Sequence, residues 1–341
     1  MRIGLVSTPW IPVPPPAYGG TEAAVDRLAR GLVAAGHEVL LAATGDSTCP
    51  VPTIAATVSS AGLIDESHVQ LAHVARAYEA LGGQDLVHDH TTCGPLYRHR
   101  PAGLSVVTTN HNPFTGDWAA VYRAIARDVP IIALSREHAR TARPIPVAAV
   151  ILHGLDVESI EVGTGRGGYA FFLGRMSPDK GVREAILAAR RAGVPLLLAA
   201  KMRRSDEYAY FQDVVTPLLG PDVEYVGEIG GKEKYGLLGE ATLLLNPAQW
   251  SEPFGLVIVE ALATGTPVVC TTAGAAPELV IEGVTGFLRD DIEGLAAAIR
   301  AVPGLSRAAC RRDAEDRFGT ARMVTDHLRF YESVLAQGGA A

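Results

Sequence analysis

Asn246-Pro247-Ala248-Gln249-Trp250-Ser251-Glu252-Pro253-Phe254-Gly255-Leu256-Val257-Ile258-Val259-Glu260-Ala261-Leu262-Ala263-Thr264-Gly265 is the stretch around which the chain reads. It sets Glu252 just before a Pro-Phe-Gly turn, and Glu260 about two turns into the apolar helix that is expected to begin near Pro253 or Phe254. The first N–H groups of such a helix, at Phe254, Gly255 and Leu256, have no intrahelical acceptor and are open to a ligand. Pro253 suits an early helical position, and Gly255 lets a ligand approach. Ionised Glu252 and Glu260 accept hydroxyl hydrogens, as a polyol site requires. They also fit the acid/base pair of a glycoside hydrolase, and the spacing alone leaves both readings open.

Outward from this stretch the pattern is strand and helix in alternation. Thr242–Leu245 and Pro267–Thr271 flank it as strands, and Tyr169–Gly174, Pro195–Ala200 and Val223–Val226 precede it. Helices are expected over Val182–Arg191, Asp206–Leu219, Lys232–Gly239, Leu256–Ala263, Asp291–Arg300 and Ala321–Leu335. The first half repeats the plan: strands at Ile3–Ser7, Glu38–Ala43, Leu86–His90, Leu104–Thr109, Ile131–Ser135 and Val147–Leu152, with helices after Gly20 and over Val69–Leu81. Alternation of this kind predicts an α/β fold with doubly wound parallel sheets. Composition shifts at Glu161–Gly168, so we expect domains over residues 1–160 and 161–320, with 321–341 as a C-terminal helix crossing back to the first. The glycines of Glu161–Gly168 precede a strand instead of following one, which makes them linker and not a dinucleotide fingerprint.

Three further groups of residues carry chemistry. Tyr18-Gly19-Gly20-Thr21 closes a Pro-rich loop and opens a helix, with Thr21 as the expected N-cap; the glycine pair either admits a phosphate to the helix N-terminus or is a flexible joint. Gly174-Arg175-Met176-Ser177-Pro178-Asp179-Lys180-Gly181 ends a strand with a fork-shaped and a mobile cation, suited to a diphosphate or simply solvated. His88 and His90, and Asn110 and His111, stand at the carboxyl ends of two strands, where ligands of open α/β sheets bind. His88 and His90 read as solvated or acceptor-side residues in preference to metal ligands, and His111 as either a substrate contact or a hydrogen-bonded scaffold residue.

The totals narrow the class. With 341 residues, 48% hydrophobic and 20% charged, the chain has room for two cores. A formal charge of −7 argues against nucleic acid or an anionic membrane as partner. Cys49, Cys93, Cys270 and Cys310 stand far apart, which suggests neither zinc nor a disulfide framework and suits a reducing cytoplasm. The apolar start is too short for a signal-peptide core, and no run reaches the roughly 18 apolar residues of a membrane span.

Ser251–Ala261 resembles the Glu-x-Phe-Gly-x-x-x-x-Glu motif of the family 4 retaining glycosyltransferases, as does its continuation through Gly265-Thr266-Pro267-Val268-Val269, Pro277-Glu278 and Gly283-Val284-Thr285-Gly286-Phe287. Gly174–Gly181 is similar to that family's phosphate motif, and Gly19-Gly20 to its glycine loop. The resemblance implies the GT-B arrangement, two Rossmann-like domains facing across a cleft, and transfer of a hexose from a nucleoside-diphosphate sugar to a hydroxyl of a small molecule or glycan. A UDP-sugar is the expected donor, with retention of configuration and no metal or other cofactor. By motif, Arg175 and Lys180 would hold the diphosphate, Gly19 and Gly20 would offer N–H groups, Glu260 would take the ribose and Glu252 the donor sugar. Pro253, Phe254, Gly255 and Leu256 would line the donor, and His111 would sit by the reacting sugar. Tyr18, His88, His90 and Asn110 are left for the acceptor side. His153-Gly154-Leu155-Asp156 departs from the family's Asn-Gly-Val-Asp turn. A sugar-nucleotide epimerase on the same plan and a non-catalytic sugar-nucleotide-binding module are the alternatives.

Overall fold

The computed structural model describes residues 1–60 and 66–338. Two compact units divide it: Met1–Leu155 together with the helix that starts at Thr320, and Asp156–Gly319.

The first unit contains β1 (Arg2–Val6), α1 (Gly20–Ala34), β2 (Glu38–Thr44), β3 (Thr53–Thr57), α2 (Ser67–Ala80), β4 (Leu86–Asp89), β5 (Ser105–Thr109), α3 (Gly116–Ile125), β6 (Ile131–Ala133), α4 (Arg136–Thr141), β7 (Ala149–Val150) and the closing helix α12 (Thr320–Gly338). Its strands form a seven-stranded sheet in the order β3-β2-β1-β4-β5-β6-β7, every pair parallel. Strand periodicity sends alternate residues to opposite faces. Ile3 and Leu5 therefore pack with Val25, Leu28 and Leu32 of α1 and with Met323, Val324 and Tyr331 of α12. Val6 and Val87 face Val74, Ala77 and Tyr78 of α2 and Tyr122 and Ile125 of α3. The C-terminal helix thus packs back on the N-terminal unit. Gly31 admits it, because a Cβ there would lie 2.4 Å from Val324 Cγ2.

The second unit contains β8 (Ala170–Arg175), α5 (Val182–Ala192), β9 (Leu196–Lys201), α6 (Ser205–Tyr210), β10 (Val223–Gly227), α7 (Gly231–Glu240), β11 (Leu243–Asn246), α8 (Leu256–Ala263), β12 (Val268–Cys270), α9 (Ala276–Leu279), β13 (Gly286–Leu288), α10 (Ile292–Ala301) and α11 (Arg307–Phe318). The sheet order is β10-β9-β8-β11-β12-β13, again parallel throughout. Ala170, Phe172, Leu196, Leu198, Leu243 and Leu245 bury one face against Val182, Ile186 and Ala189 of α5 and Leu295 and Ile299 of α10. In each sheet the winding reverses once, between β1 and β4 and between β8 and β11, and ligands of such sheets bind outside the carboxyl ends at these points.

Several elements differ from the sequence reading. The helix expected over Asp206–Leu219 breaks into α6, a π turn at Phe211–Val215 and a 3-10 turn at Thr216–Leu218. Pro217 has no N–H to continue an α-helix, which accounts for the break. Thr21 is not the cap of α1, which starts one residue earlier with Gly19 in the capping position and no side-chain cap. Helix α8 starts at Leu256 instead of Pro253 or Phe254, because Gly255 takes a left-handed φ of 107°. The stretch expected as linker is held inside the second unit: the Gly163, Gly165 and Gly167 N–H groups donate to the carbonyls of Thr264, Gly239 and Glu240. Strands β3 and β13 and helices α3, α9 and α11 have no counterpart in the sequence reading. Helix α11 carries seven charged residues in its twelve and so shows little helical apolar pattern. Among the described residues no helix is long and apolar enough to cross a membrane.

Candidate active site

In the second unit the site is assembled at the reversal between β8 and β11. Strand β8 delivers Arg175 to the carboxyl edge, and a 3-10 turn at Pro178–Lys180 follows. The turn closes through Gly181, whose φ is 73° and whose Cβ, if present, would lie 1.9 Å from the Pro247 carbonyl oxygen. Only glycine lets the turn after β8 meet the turn after β11 this closely. Arg175 Nε donates to Ser177 Oγ at 3.1 Å and Nη2 to Asp179 Oδ2 at 2.8 Å, with Glu207 Oε1 at 3.6 Å from Nε. Burial works against ionised Asp179, but the Ser177 hydrogen bond and the Arg175 charge hold its carboxyl below the usual range.

Lys180 is buried, donates from Nζ to Glu252 Oε1 at 2.6 Å and lies 4.9 Å from the centre of the Trp250 ring. Arg175 and Lys180 therefore sit on different carboxylates. The sequence reading groups the two cations on one diphosphate; the structure pairs Arg175 with Asp179 and Lys180 with Glu252, the carboxylate expected to hold the donor sugar. Glu252 is held by its backbone as well: its carbonyl accepts from Ala275 N–H at 3.0 Å. Gly274 is needed beside it, since a Cβ there would stand 2.3 Å from the Glu252 nitrogen.

Glu260 is also occupied. Its Oε1 accepts from Lys234 Nζ at 2.6 Å and lies 3.4 Å from the Tyr235 hydroxyl, both carried by α7. Pro253, Phe254 and Gly255 are buried and Leu256 is half-buried. The Phe254 ring meets Phe318 edge-on at 6.3 Å, so it supports the turn from inside the unit. Lys201 aligns with Arg175 across the β8–β9 pair. Burial, with Arg203 and Arg175 nearby, lowers its pKa. Sequence reasoning missed Lys201 and Lys234. Both were visible as lysines, one just beyond an expected strand and one in an expected first helical turn, but nothing in a linear pattern names their partners.

In the first unit, Gly19 and Gly20 follow β1 at the other reversal and open α1. A Cβ on Gly19 would lie 2.7 Å from Pro15 Cβ. Glu22, in the first turn of α1, accepts from the Thr8 hydroxyl and is buried. Tyr18 is half-buried. His88 and His90 are not solvated: both are buried. His88 Nδ1 lies 2.7 Å from the Tyr331 hydroxyl and Nε2 2.8 Å from Thr109 Oγ1, which makes it a tie between the sheet and α12. Asn110 is fully buried, its Oδ1 accepting from Asn112 N–H at 2.7 Å, so its side chain holds the turn that carries His111.

His90 reaches His111, with Nδ1 and Nε2 3.0 Å apart. The rings continue as a ladder: His90 over His88 at 4.1 Å, His88 beside His327 at 5.4 Å, and His111 stacked on His153 at 5.5 Å. Burial drives every one of these imidazoles below its ordinary pKa, His111 to about 3 and His327 to about 4. All are neutral at pH 7. Among the described residues no three His, Cys, Asp or Glu side chains converge as metal ligands.

Residues 18–159 match the profile of Glycosyltransferase Family 4, and residues 168–302 match that of Glycosyl transferases group 1. The chain belongs to the family 4 glycosyltransferases. Among its relatives, a glycogen synthase of Mycobacterium tuberculosis is 29% identical over 92% of this chain and 88% of that protein. A phosphatidyl-myo-inositol mannosyltransferase of Mycolicibacterium smegmatis is 26% identical over 99% and 95%. AviGT4, a glycosyltransferase involved in avilamycin A biosynthesis, superposes with a TM-score of 0.79 at 26% identity over 98% of both chains. Anabaena HepE, solved with UDP and glucose, gives a TM-score of 0.78 at 22% identity over 98% of this chain and all of that one. The two parallel-sheet Rossmann-like domains are those of the GT-B glycosyltransferases. Family 4 membership implies a sugar donor and an acceptor as substrates.

Proposed function

We propose that this glycosyltransferase moves a hexose from a nucleoside-diphosphate sugar, with UDP as the favoured nucleotide, to a hydroxyl of a small-molecule or glycan acceptor with retention of configuration. The observation that carries the reading is the set of three carboxylate–cation pairs, Arg175–Asp179, Lys180–Glu252 and Lys234–Glu260, around the β8/β11 reversal. Charged groups already paired in position lose little order when a ligand arrives. Arg175 and Lys180 bind the diphosphate and stabilise the departing nucleotide, a charge that metal-dependent transferases place on a cation; the proposed reaction uses no metal or other cofactor. Glu260 accepts the ribose hydroxyls and Glu252 those of the donor sugar, while Leu256 and its neighbours in the Gly255 turn offer backbone N–H groups. In the first unit, Gly19 and Gly20 offer N–H groups to the phosphates and His111 serves the transferred sugar. Tyr18 and His90 remain as acceptor-side residues; His88 packs against His90, and Asn110 holds the turn that carries His111. The relative solved with UDP and glucose supports the choice of nucleotide. The cytoplasm, where nucleotide sugars are made, is the proposed location.

A thermal-shift panel of UDP-, GDP-, ADP- and dTDP-sugars tests the reading, because a ligand bound only to the folded state raises its stability by RT ln(1 + [L]/Kd). A shift with UDP-sugars, followed by product formation with a hydroxyl acceptor, is the expected result. An epimerised donor formed without acceptor, or binding without turnover, would replace it.

A further inference from the structure

We infer that His90 fixes the tautomer of His111, holding it in the form that is protonated at Nδ1 and bare at Nε2, and so acts as the positioning residue of that histidine. Between His90 Nδ1 and His111 Nε2, 3.0 Å apart, one nitrogen must carry the hydrogen. If His111 donated, the hydrogen of neutral His90 would have to sit on its own Nε2. That atom is buried without a hydrogen-bond partner. An N–H stranded in the interior is rarer and costlier than a stranded acceptor. With His90 donating from Nδ1, Nε2 keeps only an unused lone pair beneath the protein surface.

The other members of the ladder favour the same assignment. His88 presents the face of its ring to His90, 4.1 Å away, and its two nitrogens are taken by Tyr331 and Thr109. Nothing there supplies an acceptor for a His90 Nε2–H. His153 stacks on His111 with the ring planes 14° apart, which fixes the plane in which the His111 Nδ1–H points. The depressed pKa values of both rings exclude a doubly protonated His111 near neutral pH. His111 is partly exposed, so its Nδ1–H is available to a ligand. The catalytic consequence rests on the proposed glycosyl transfer: His111 gives the donor sugar a hydrogen-bond donor and does not take a proton from the acceptor.

Long-range 1H–15N correlation of the full chain labelled in histidine, with His111 assigned through His111→Asn, reads the tautomer without any substrate. We expect a protonated Nδ1 and an unprotonated Nε2 for His111, and the reverse would overturn the proposal. His90→Asn, whose side-chain amide can stand near the lost Nδ1–H, should keep that signature. His90→Gln and His90→Leu should release His111 to the Nε2–H form preferred by free imidazole and lower kcat by about ten-fold or more at unchanged donor KM. If His90→Leu does not fold, the wild-type and His90→Asn spectra still decide. A chain that transfers no sugar from any donor would end the proposed function while leaving the tautomer measurement intact.

Discussion

Lys234 Nζ and Glu260 Oε1 meet at 2.6 Å, linking the first turn of α7 to the middle of α8. Glu260 is the carboxylate proposed to read the ribose, and it is 7% exposed. Its orientation is therefore set by a lysine that lies outside the motif containing it. Replacing Lys234 with Met should cost about 1–3 kcal/mol of stability, the penalty of leaving a buried charge short of a partner. It should also narrow the preference for UDP over 2′-deoxy-UDP, since a Glu260 free to rotate no longer presents two oxygens to a diol. Titration calorimetry with both nucleotides checks this; an unchanged preference would detach Lys234 from ribose reading.

Lys180→Ala removes one proposed diphosphate ligand and strands Glu252 beside the place proposed for the phosphate. UDP affinity should fall about 100-fold or more, because lost attraction and new repulsion add. In the Lys180→Ala/Glu252→Gln double variant part of that loss should return, as the repulsive share disappears. Equal affinities for wild type and Lys180→Ala would remove Lys180 from the donor site. Glu260→Ala should likewise weaken nucleotide binding with the fold intact.

Gly181 and Gly193 share nearly the same left-handed backbone, φ 73° and 72°, but only Gly181 is crowded. Gly193→Ala should therefore cost only the backbone term, about 1 kcal/mol. Gly181→Ala adds a collision with the Pro247 carbonyl and should cost about 3 kcal/mol or more. Chemical denaturation of the two variants measures the difference, and equal losses would refute the close contact of the two turns.

The histidine ladder makes stability depend on acid. His88, His90, His111, His153 and His327 all have folded pKa values below their ordinary value of 6.5, mainly through burial. Below that value the unfolded chain binds protons that the folded chain refuses, so stability falls as pH drops. Each imidazole contributes a slope of about 1.4 kcal/mol per pH unit until its own folded pKa is reached. Burial raises Asp89 to about 6, which acts in the opposite direction between that value and its unfolded pKa and offsets one imidazole. Urea midpoints should drop steeply from pH 6.5 towards pH 4.5, and a flat profile would contradict a neutral, buried ladder.

The alternation of short apolar strands with helices, read along the chain, determined two doubly wound sheets and placed Arg175, Lys180, Glu252 and His111 just beyond strand ends. Local chemistry settled those features: periodicity of 2 or 3.6 and the turn-forming glycines and prolines between the elements. It was silent where partners are distant in sequence. The glycines at Gly163–Gly167 read as linker because their hydrogen-bond partners come from residues about 70 to 100 positions later. His88 looked solvated because Tyr331, 243 positions away, is what buries it. Whether Lys180 attends to Glu252, Lys234 to Glu260 and His90 to His111 was decided only when the folded sheets brought those side chains within 3 Å of one another. A charge or an imidazole in a linear sequence carries no record of which opposite group will desolvate with it, and that is what the tertiary structure supplied.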